Sequence, residues 1–178
     1  MEKETVFGVK QWCNIIKDEK NGFTQQTAFG LFDSSYGNTY AIDTFSKTMS
    51  QQTGKAVFIA RLRADRILAR PSKQKANGKL GRNSLYDHRN PFMLKDASTW
   101  WSTEREEGID WVTARGKEHK INIKLWNNIR MKSHVDANIS NVPLTIVRIA
   151  VTDKDGRKIY KNPLWLVVVG NGSVALIF

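Results

Sequence analysis

Residues 27–66, TAFGLFDSSYGNTYAIDTFSKTMSQQTGKAVFIARLRADR, decide the fold that this sequence predicts. Residues 27–32 form a short apolar run that ends at a charged residue, as buried strands often do. A second apolar run covers 56–60 and continues into 61–63. Between the two runs, 39–51 has apolar residues at helical spacing. The order strand, helix, strand predicts a parallel pair of strands with a crossover helix.

Polar residues follow both of these strands. Asp33 comes directly after the first strand, and Arg61 and Arg63 lie at the end of the second. In open α/β sheets, functional groups collect at the carboxyl ends of the strands. Asp33 is therefore a candidate metal ligand, and the two arginines are candidate phosphate contacts. The alternatives are a turn or capping aspartate and ordinary edge-strand charges that limit aggregation.

Two amphipathic helices are predicted in the first third of the chain. Residues 5–19 and 39–51 carry apolar side chains at i, i+3 and i+4 spacing, which is the pattern of a helix with one buried face. Asn38 or Thr39 can cap the second helix, and Gly54 is expected to mark its end. The predicted core side chains are Val9, Trp12, Cys13, Ile16, Ile42, Phe45 and Met49.

The second half of the chain is predicted to be mainly antiparallel sheet. Four strand candidates lie at 111–114, 120–126, 144–151 and 164–169. A turn at 153–157, which contains an Asp-Gly pair, is expected to join the last two strands. Helices and parallel strands followed by antiparallel strands place the chain in the α/β (α+β) class.

Positive charge is concentrated in one part of the chain. Residues 55–95 contain eleven Lys or Arg residues and two acids, so they supply +9 of the total net charge of +11. Such a segment is favourable beside a polyanion, because each phosphate contact releases counterions. The same segment includes a polar loop at 71–90. The alternative is a solvated, flexible surface loop, and a nucleic-acid partner is the more specific expectation.

The composition also narrows the class of protein. The longest apolar run, 164–169, has the length of a strand and is too short to span a membrane as a helix. The charged start of the chain lacks the apolar stretch of a signal peptide. Cys13 is the single cysteine, which excludes an internal disulfide and a cysteine-based zinc site. We expect a cytoplasmic protein with no membrane partner.

Four fragments together resemble bacterial insertion-sequence transposases of the DDE type. Residues 31–38 (LFDSSYGN) are similar to the D-x-x-Y-G-N motif around that family's second catalytic aspartate. Residues 60–71 (ARLRADRILARP) resemble its R-L-R-x-x-R-x-L-x-R-P motif. Residues 92–100 (FMLKDASTW) and 162–170 (NPLWLVVVG) resemble F-x-L-K-D-P-x-T-W and x-P-x-W-L-x-V-x-G. Their order and spacing, more than any one fragment, carry the resemblance.

The resemblance implies a catalytic domain with a ribonuclease H-like fold and two bound Mg²⁺ ions. In that family an Asp, a second Asp and a Glu hold the metal pair, which activates the attacking oxygen and stabilises the leaving one. Asp33 matches the second aspartate and is the candidate catalytic residue and metal ligand. The implied division is a partial ribonuclease H-like core at 1–66, a basic loop at 67–91 and a β-rich insertion of the transposase domain at 92–170.

The other two carboxylates of the family have no counterpart here. The first aspartate lies on a strand well upstream of the motif, whereas one predicted helix precedes Asp33. The glutamate lies on a later helix with a Tyr-Arg-Glu pattern, whereas residues 171–178 (NGSVALIF) contain no acid and form an aberrant tail. We therefore expect a transposase truncated at both ends and unable to catalyse strand transfer alone. One alternative is an enzyme completed in trans by a complementary transposase fragment.

DNA is the expected partner, bound through phosphates without reading of the base sequence. The candidate DNA-binding residues are Arg61, Arg63, Arg66, Arg70, Lys73, Lys75, Lys79 and Arg82. Trp100 and Trp101 are candidates for stacking on bases, whereas Trp126 and Trp165 are expected to pack in the core. The remaining alternative is a basic nucleic-acid-binding module unrelated to transposases, which two non-adjacent strands at 27–33 and 56–63 would favour.

Overall fold

Two α-helices, two short 3-10 helices and eight strands make up the regular structure of the described chain. The computed structural model describes residues 4–23, 26–50, 55–71, 86–87, 89–131 and 142–170. The helices are α1 (Glu4–Lys17) and α2 (Thr39–Met49). The strands are β1 (Thr27–Phe32), β2 (Lys55–Arg61), β3 (Ile67–Ala69), β4 (Phe92–Met93), β5 (Arg105–Val112), β6 (Glu118–Met131), β7 (Leu144–Asp153) and β8 (Leu164–Gly170). The fold is mixed α+β.

The strands form one sheet in the order β1-β2-β8-β7-β6-β3-β4, and β5 pairs with the first half of β6. β1 and β2 are parallel, with Thr27 opposite Lys55 and Phe32 opposite Ala60. The predicted parallel pair with a crossover helix is therefore confirmed, because α2 connects these two strands. The pairs β2–β8, β7–β8, β6–β7 and β5–β6 are antiparallel, as predicted for the second half.

The α/β half and the β-rich half share one sheet and one core. β2 pairs directly with β8, so that Arg61 lies opposite Leu166. On the face covered by α1 and α2, buried side chains of both halves form a single cluster. Its largest fully buried members are Trp126, Phe45, Phe58, Phe92, Ile42, Leu68, Ile129 and Ile146, and Trp165 belongs to the same cluster. The ends of β1 and β2 are thereby held at a defined position beside β8.

The helices bury the faces that the sequence predicts. Val9, Cys13 and Ile16 of α1 are buried, and Trp12 packs against the core cluster. The predicted core side chains of α2, Ile42, Phe45 and Met49, are likewise buried. Asn38 caps α2, as expected, through its Oδ1, which accepts from the backbone N–H groups of Tyr40 and Ala41 at 3.0 Å.

Several element bounds differ from the predicted ones. β5 begins at Arg105, before the predicted strand, and β6 extends to Met131. Residues 67–69, predicted to belong to a loop, form β3, which pairs with β4 and with the end of β6. The turn at 153–157 is present, but β7 and β8 pair only from Ile149 opposite Leu164, so residues 154–163 form a longer connection than a tight hairpin. Gly54 and residues 171–178 lie outside the described residues.

Candidate nucleic-acid interface

Asp33 begins the turn that connects β1 to α2. Its Oδ1 accepts hydrogen bonds from the Ser35 backbone N–H at 2.7 Å and from the Ser35 hydroxyl at 2.6 Å. The side-chain amide of Asn38 donates to the Ser35 carbonyl at 2.6 Å and so closes the same turn. These bonds hold an exposed carboxylate at the carboxyl end of a strand.

The hydrogen bonds of Ser35 also set the charge state of this carboxylate. The Ser35 hydroxyl, followed by the Ser35 backbone N–H, lowers the pKa of Asp33 from its ordinary value. The cause is direct, because both donors stabilise the ionised form. Asp33 is therefore negatively charged at neutral pH and can serve as an oxygen ligand or a hydrogen-bond acceptor.

Gly37 brings the Asp33 turn against the end of β2. A Cβ atom added at this position would lie far inside contact distance of the Arg61 carbonyl oxygen and 3.2 Å from Leu62 Cδ2. Only glycine permits this approach without a backbone shift. Leu62 is fixed on its other side, since its N–H donates to the Trp165 carbonyl at 2.8 Å. The turn, the end of β2 and the start of β8 are thus packed into one arrangement.

A cavity of about 420 Å³ opens where these three segments meet. Its lining is predominantly polar and includes three cationic side chains and one carboxylate. The lining residues are Ser34, Arg61, Leu62, Arg63, Ala64, Asp65, Lys95, Asn162, Pro163 and Trp165. The predicted pair Arg61 and Arg63 is brought together here, directly beside the turn that begins at Asp33.

The three cations of this cavity differ in their partners. Arg63 forms an exposed ion pair with Asp65, with Nη2 and Oδ2 3.0 Å apart. Within the part of the chain that the structure describes, neither Arg61 nor Lys95 is ion-paired. The exposed Arg63–Asp65 ion pair is weak, so another anion can readily replace Asp65 as the partner of Arg63. The cavity therefore carries a net positive charge that a phosphate group would neutralise.

The other predicted DNA-binding residues do not line this cavity. Arg66 is partly buried, and its Nε has no hydrogen-bond partner among the residues that the structure describes. The guanidinium of Arg70 lies over the Trp101 ring, 4.5 Å from the ring centroid. The remaining four, Lys73, Lys75, Lys79 and Arg82, lie outside the described residues.

Sequence reasoning did not single out Lys95 and Asn162 as site residues. Lys95 follows β4, and Asn162 precedes β8, so both are distant in sequence from the Asp33 turn. Both nevertheless line the cavity with Arg61. The only signal in the sequence was their position inside the fragments 92–100 and 162–170, which carry the family resemblance.

The described residues do not by themselves supply a two-metal centre. Among them, no group of three or more His, Cys, Asp or Glu side chains is close enough to hold a metal ion. Glu104 and Glu106 have other partners on the surface of the sheet. Glu104 accepts hydrogen bonds from Asn127, and Glu106 accepts one from Asn122 and pairs with Lys124. The described part of the site thus offers Asp33 as a single carboxylate after β1.

Trp126 and Trp165 lie in the core, as predicted. Trp126 and Trp165 are 1% and 2% exposed and contact each other within the aromatic cluster. Trp100 and Trp101 are only partly buried, and both pack against the core cluster. Their rings are further covered by Arg148 and Arg70. Stacking of bases on Trp100 and Trp101 stays a prediction without an open ring face to favour it.

Comparisons with known proteins leave the resemblance to transposases as a prediction. No protein-family model matches the chain, and no curated protein sequence matches it.

In the described ranges, neither helix has the length and apolar character that crossing a membrane requires.

Proposed function

We propose that this protein binds DNA through the phosphate backbone, using the cavity at the ends of β1 and β2, and that it derives from a DDE transposase. The observation that carries the proposal is the cavity itself. Arg61, Arg63 and Lys95 line it beside the turn that begins at Asp33. Cationic side chains contact phosphates favourably, and contacts to phosphates position a nucleic acid without reading its sequence.

The topology of the first two strands supports the transposase part of the proposal. β1 and β2 are adjacent and parallel, with an acid after the first and arginines after the second. Non-adjacent strands would instead have favoured an unrelated basic module. A partial ribonuclease H-like core consisting of β1, α2 and β2, extended by the β-rich segment, accounts for this arrangement.

Asp33 is the proposed remnant of the metal site. A lone ionised carboxylate can contribute one oxygen ligand to Mg²⁺, which needs several oxygen ligands and keeps water on the rest. Strand transfer requires a pair of metal ions, and the described residues offer one carboxylate after β1 as a ligand for that pair. We therefore propose that the chain alone binds DNA without cleaving it. A complementary transposase fragment is the proposed source of the other carboxylates.

The binding proposal is tested by the salt dependence of affinity for duplex DNA. The double variant Arg61→Gln/Arg63→Gln removes two cavity cations, and Arg115→Gln/Lys117→Gln removes two exposed cations from the β5–β6 turn as a charge-matched control. Each lost phosphate contact makes the negative slope of log K against log salt concentration shallower by about 0.9. Fluorescence anisotropy should give a slope that is less negative by about 1.8 for the first variant only. Equal effects of both variants, or no binding at low salt, would refute the cavity as a DNA site.

The catalytic part is tested separately with supercoiled plasmid and Mg²⁺. We expect no nicking by the purified chain. Mg²⁺-dependent nicking that disappears in Asp33→Ala would contradict the proposal that the chain is catalytically incomplete, without affecting the binding result.

A non-catalytic nucleic-acid-binding module unrelated to transposases is the second candidate. The described residues contain no group of three or more His, Cys, Asp or Glu side chains that could hold a metal ion, and this favours the second candidate, since binding through the cavity requires no metal. Mg²⁺-dependent enhancement of DNA affinity that is lost in Asp33→Asn would favour the transposase origin over this candidate.

A further inference from the structure

A second groove, of about 700 Å³, lies between β7 and the segment that leads into β8. It is lined by both apolar and cationic side chains, and its lining contains no carboxylate. The lining residues are Arg61, Asn122, Arg148, Ile149, Ala150, Val151, Thr152, Lys158, Tyr160, Lys161, Asn162, Pro163 and Leu164. Four cations and an aromatic ring around apolar walls are suited to a ligand that combines negative charge with flat apolar surface.

Tyr160 is the most exposed large hydrophobic side chain of this groove. It is 66% exposed and stands between Lys158 and Lys161. The segment that carries it is held by the backbone, because the Ile159 N–H donates to the Val151 carbonyl at 3.0 Å and Lys158 forms a β-bridge with Thr152. An exposed aromatic ring on an anchored segment loses little conformational entropy when a ligand covers it.

Arg148 contributes a cation that the protein leaves incompletely paired. Its Nε is buried without a hydrogen-bond partner in the described part of the chain, and its Nη1 is 3.5 Å from the Asn122 side-chain oxygen. Its guanidinium lies 5.1 Å from the centroid of the Trp100 ring. Burial lowers the pKa of Arg148, and nearby Glu106 opposes this effect. A buried donor without a partner is costly, and an anionic ligand in the groove would offset that cost.

The second groove is continuous with the cavity beside Asp33. Arg61, Asn162 and Pro163 line both. A polyanion whose backbone lies on Arg61 can therefore follow one path from Lys95, through the shared residues, to Lys158 and Tyr160.

We propose that this groove binds single-stranded nucleic acid, with an unpaired base stacked on Tyr160 and the adjoining phosphates on Lys158 and Lys161. The inference deepens the proposed DNA binding and rests on it for the path through Arg61. A duplex keeps both faces of its bases stacked, so only an unpaired base can cover the Tyr160 ring. Stacking on an aromatic side chain tolerates any base, which predicts binding without sequence preference.

The test compares two oligomers of equal charge by anisotropy: a labelled thymidine 12-mer and a 12-mer of abasic sugar-phosphate units. We expect the protein to bind the thymidine oligomer about five-fold or more tightly than the abasic one, the lower end of what one stacked base provides. Tyr160→Ala should abolish this preference and leave abasic binding unchanged. Tyr160→Phe should retain it, because the ring and not the hydroxyl stacks. Trp111→Ala, which removes another exposed aromatic outside the groove, is the matched control.

Each outcome decides between the two proposals. Equal affinity of the intact protein for both oligomers, or a preference that survives in Tyr160→Ala, overturns the stacking inference and leaves phosphate binding standing. Absence of binding to both oligomers and to duplex DNA overturns both. In a competition experiment, unlabelled oligomer and an equally charged polyglutamate peptide are each used to displace the labelled thymidine oligomer. If both displace it at the same concentration, the protein recognises charge alone, and the stacking inference is overturned. A uridine 12-mer separates RNA from DNA as the preferred strand, and tighter binding of either supports the proposal.

Discussion

Individual residues of the turn after β1 decide how the candidate site is assembled. Ser35 holds Asp33 Oδ1 with two donors, and Gly37 allows the turn to contact the Arg61 carbonyl. Asn38 connects the same turn to the start of α2. The types of these residues were readable from the sequence as turn and capping chemistry. Their contact with β2 was not, since it depends on how two distant segments pack.

Gly37→Ala should destabilise the protein. The added methyl group would overlap the Arg61 carbonyl oxygen, and overpacking against backbone costs about 1–3 kcal/mol. Urea unfolding followed by circular dichroism measures the change in the free energy of unfolding. Gly108→Ala is the matched control, because nothing lies within 4 Å of a Cβ placed there. Equal stabilities of the two variants would show that the turn does not pack on β2 as described.

Cys13 should make stability fall at alkaline pH. Burial raises the pKa of its thiol from 9.0 to about 11, with Lys17 opposing the effect. Because the pKa is raised in the folded state, the buried thiol contributes its full stabilisation below pH 9.0. This contribution is lost as the pH rises towards about 11. The difference in unfolding free energy between the parent and Cys13→Ala should therefore shrink over this range. A constant difference from pH 8 to about 11 would contradict the expectation.

At the scale of helices and strands, hydrophobic periodicity was a reliable guide where an element is buried on one face. α1, α2, β1 and β2 begin and end within a few residues of their predicted limits. β5 was underestimated because its first residues are charged and exposed, so no apolar alternation marks them. β3 has three residues and is stabilised by pairing with β4 and β6, which local sequence does not record.

The N-cap of α2 offers a test at this scale. Asn38→Ala removes both the acceptor for the helix N–H groups and the donor to Ser35, and we expect a loss of about 1 kcal/mol in unfolding free energy. Asn38→Asp keeps the acceptor and loses the donor, so it should retain most of the stability. Thermal melts at neutral pH measure both variants. Equal losses in the two would indicate that the bond to Ser35, and not the cap, stabilises this helix.

For the whole molecule, the continuous sheet brings together segments that carry charge in separate parts of the chain. Arg61 ends β2 and Arg63 follows it, Lys95 follows β4, and Lys158 and Lys161 precede β8. The sequence located the excess of positive charge at 55–95. The structure adds the cations of the β7–β8 connection to the same surface. The cost of gathering like charges is what a bound polyanion would relieve.

The sheet also leaves an apolar edge. β1 is an edge strand of the described sheet, and its Phe29 and Leu31 are 47% and 78% exposed. Exposed apolar edge strands favour association with another edge, so we expect the isolated chain to self-associate. Leu31→Lys should raise the soluble monomer fraction in light scattering and leave the thermal midpoint nearly unchanged. Ile15→Lys, which changes an exposed apolar residue on α1 and not on a strand edge, is the control. A parent chain that is already monomeric at high concentration would contradict the expectation.

The sequence by itself determined the local elements: the apolar runs, the helical spacing, the Asn38 cap and an acid at the end of β1. These features depend on interactions within a few residues, which the order of side chains records directly. Only the tertiary structure decided that β2 pairs with β8, that Lys95 and Asn162 join Arg61 around one cavity, and that Tyr160 stands in a cationic groove. These contacts join segments many residues apart, so they depend on strand register and on packing of the shared core, which no local pattern contains.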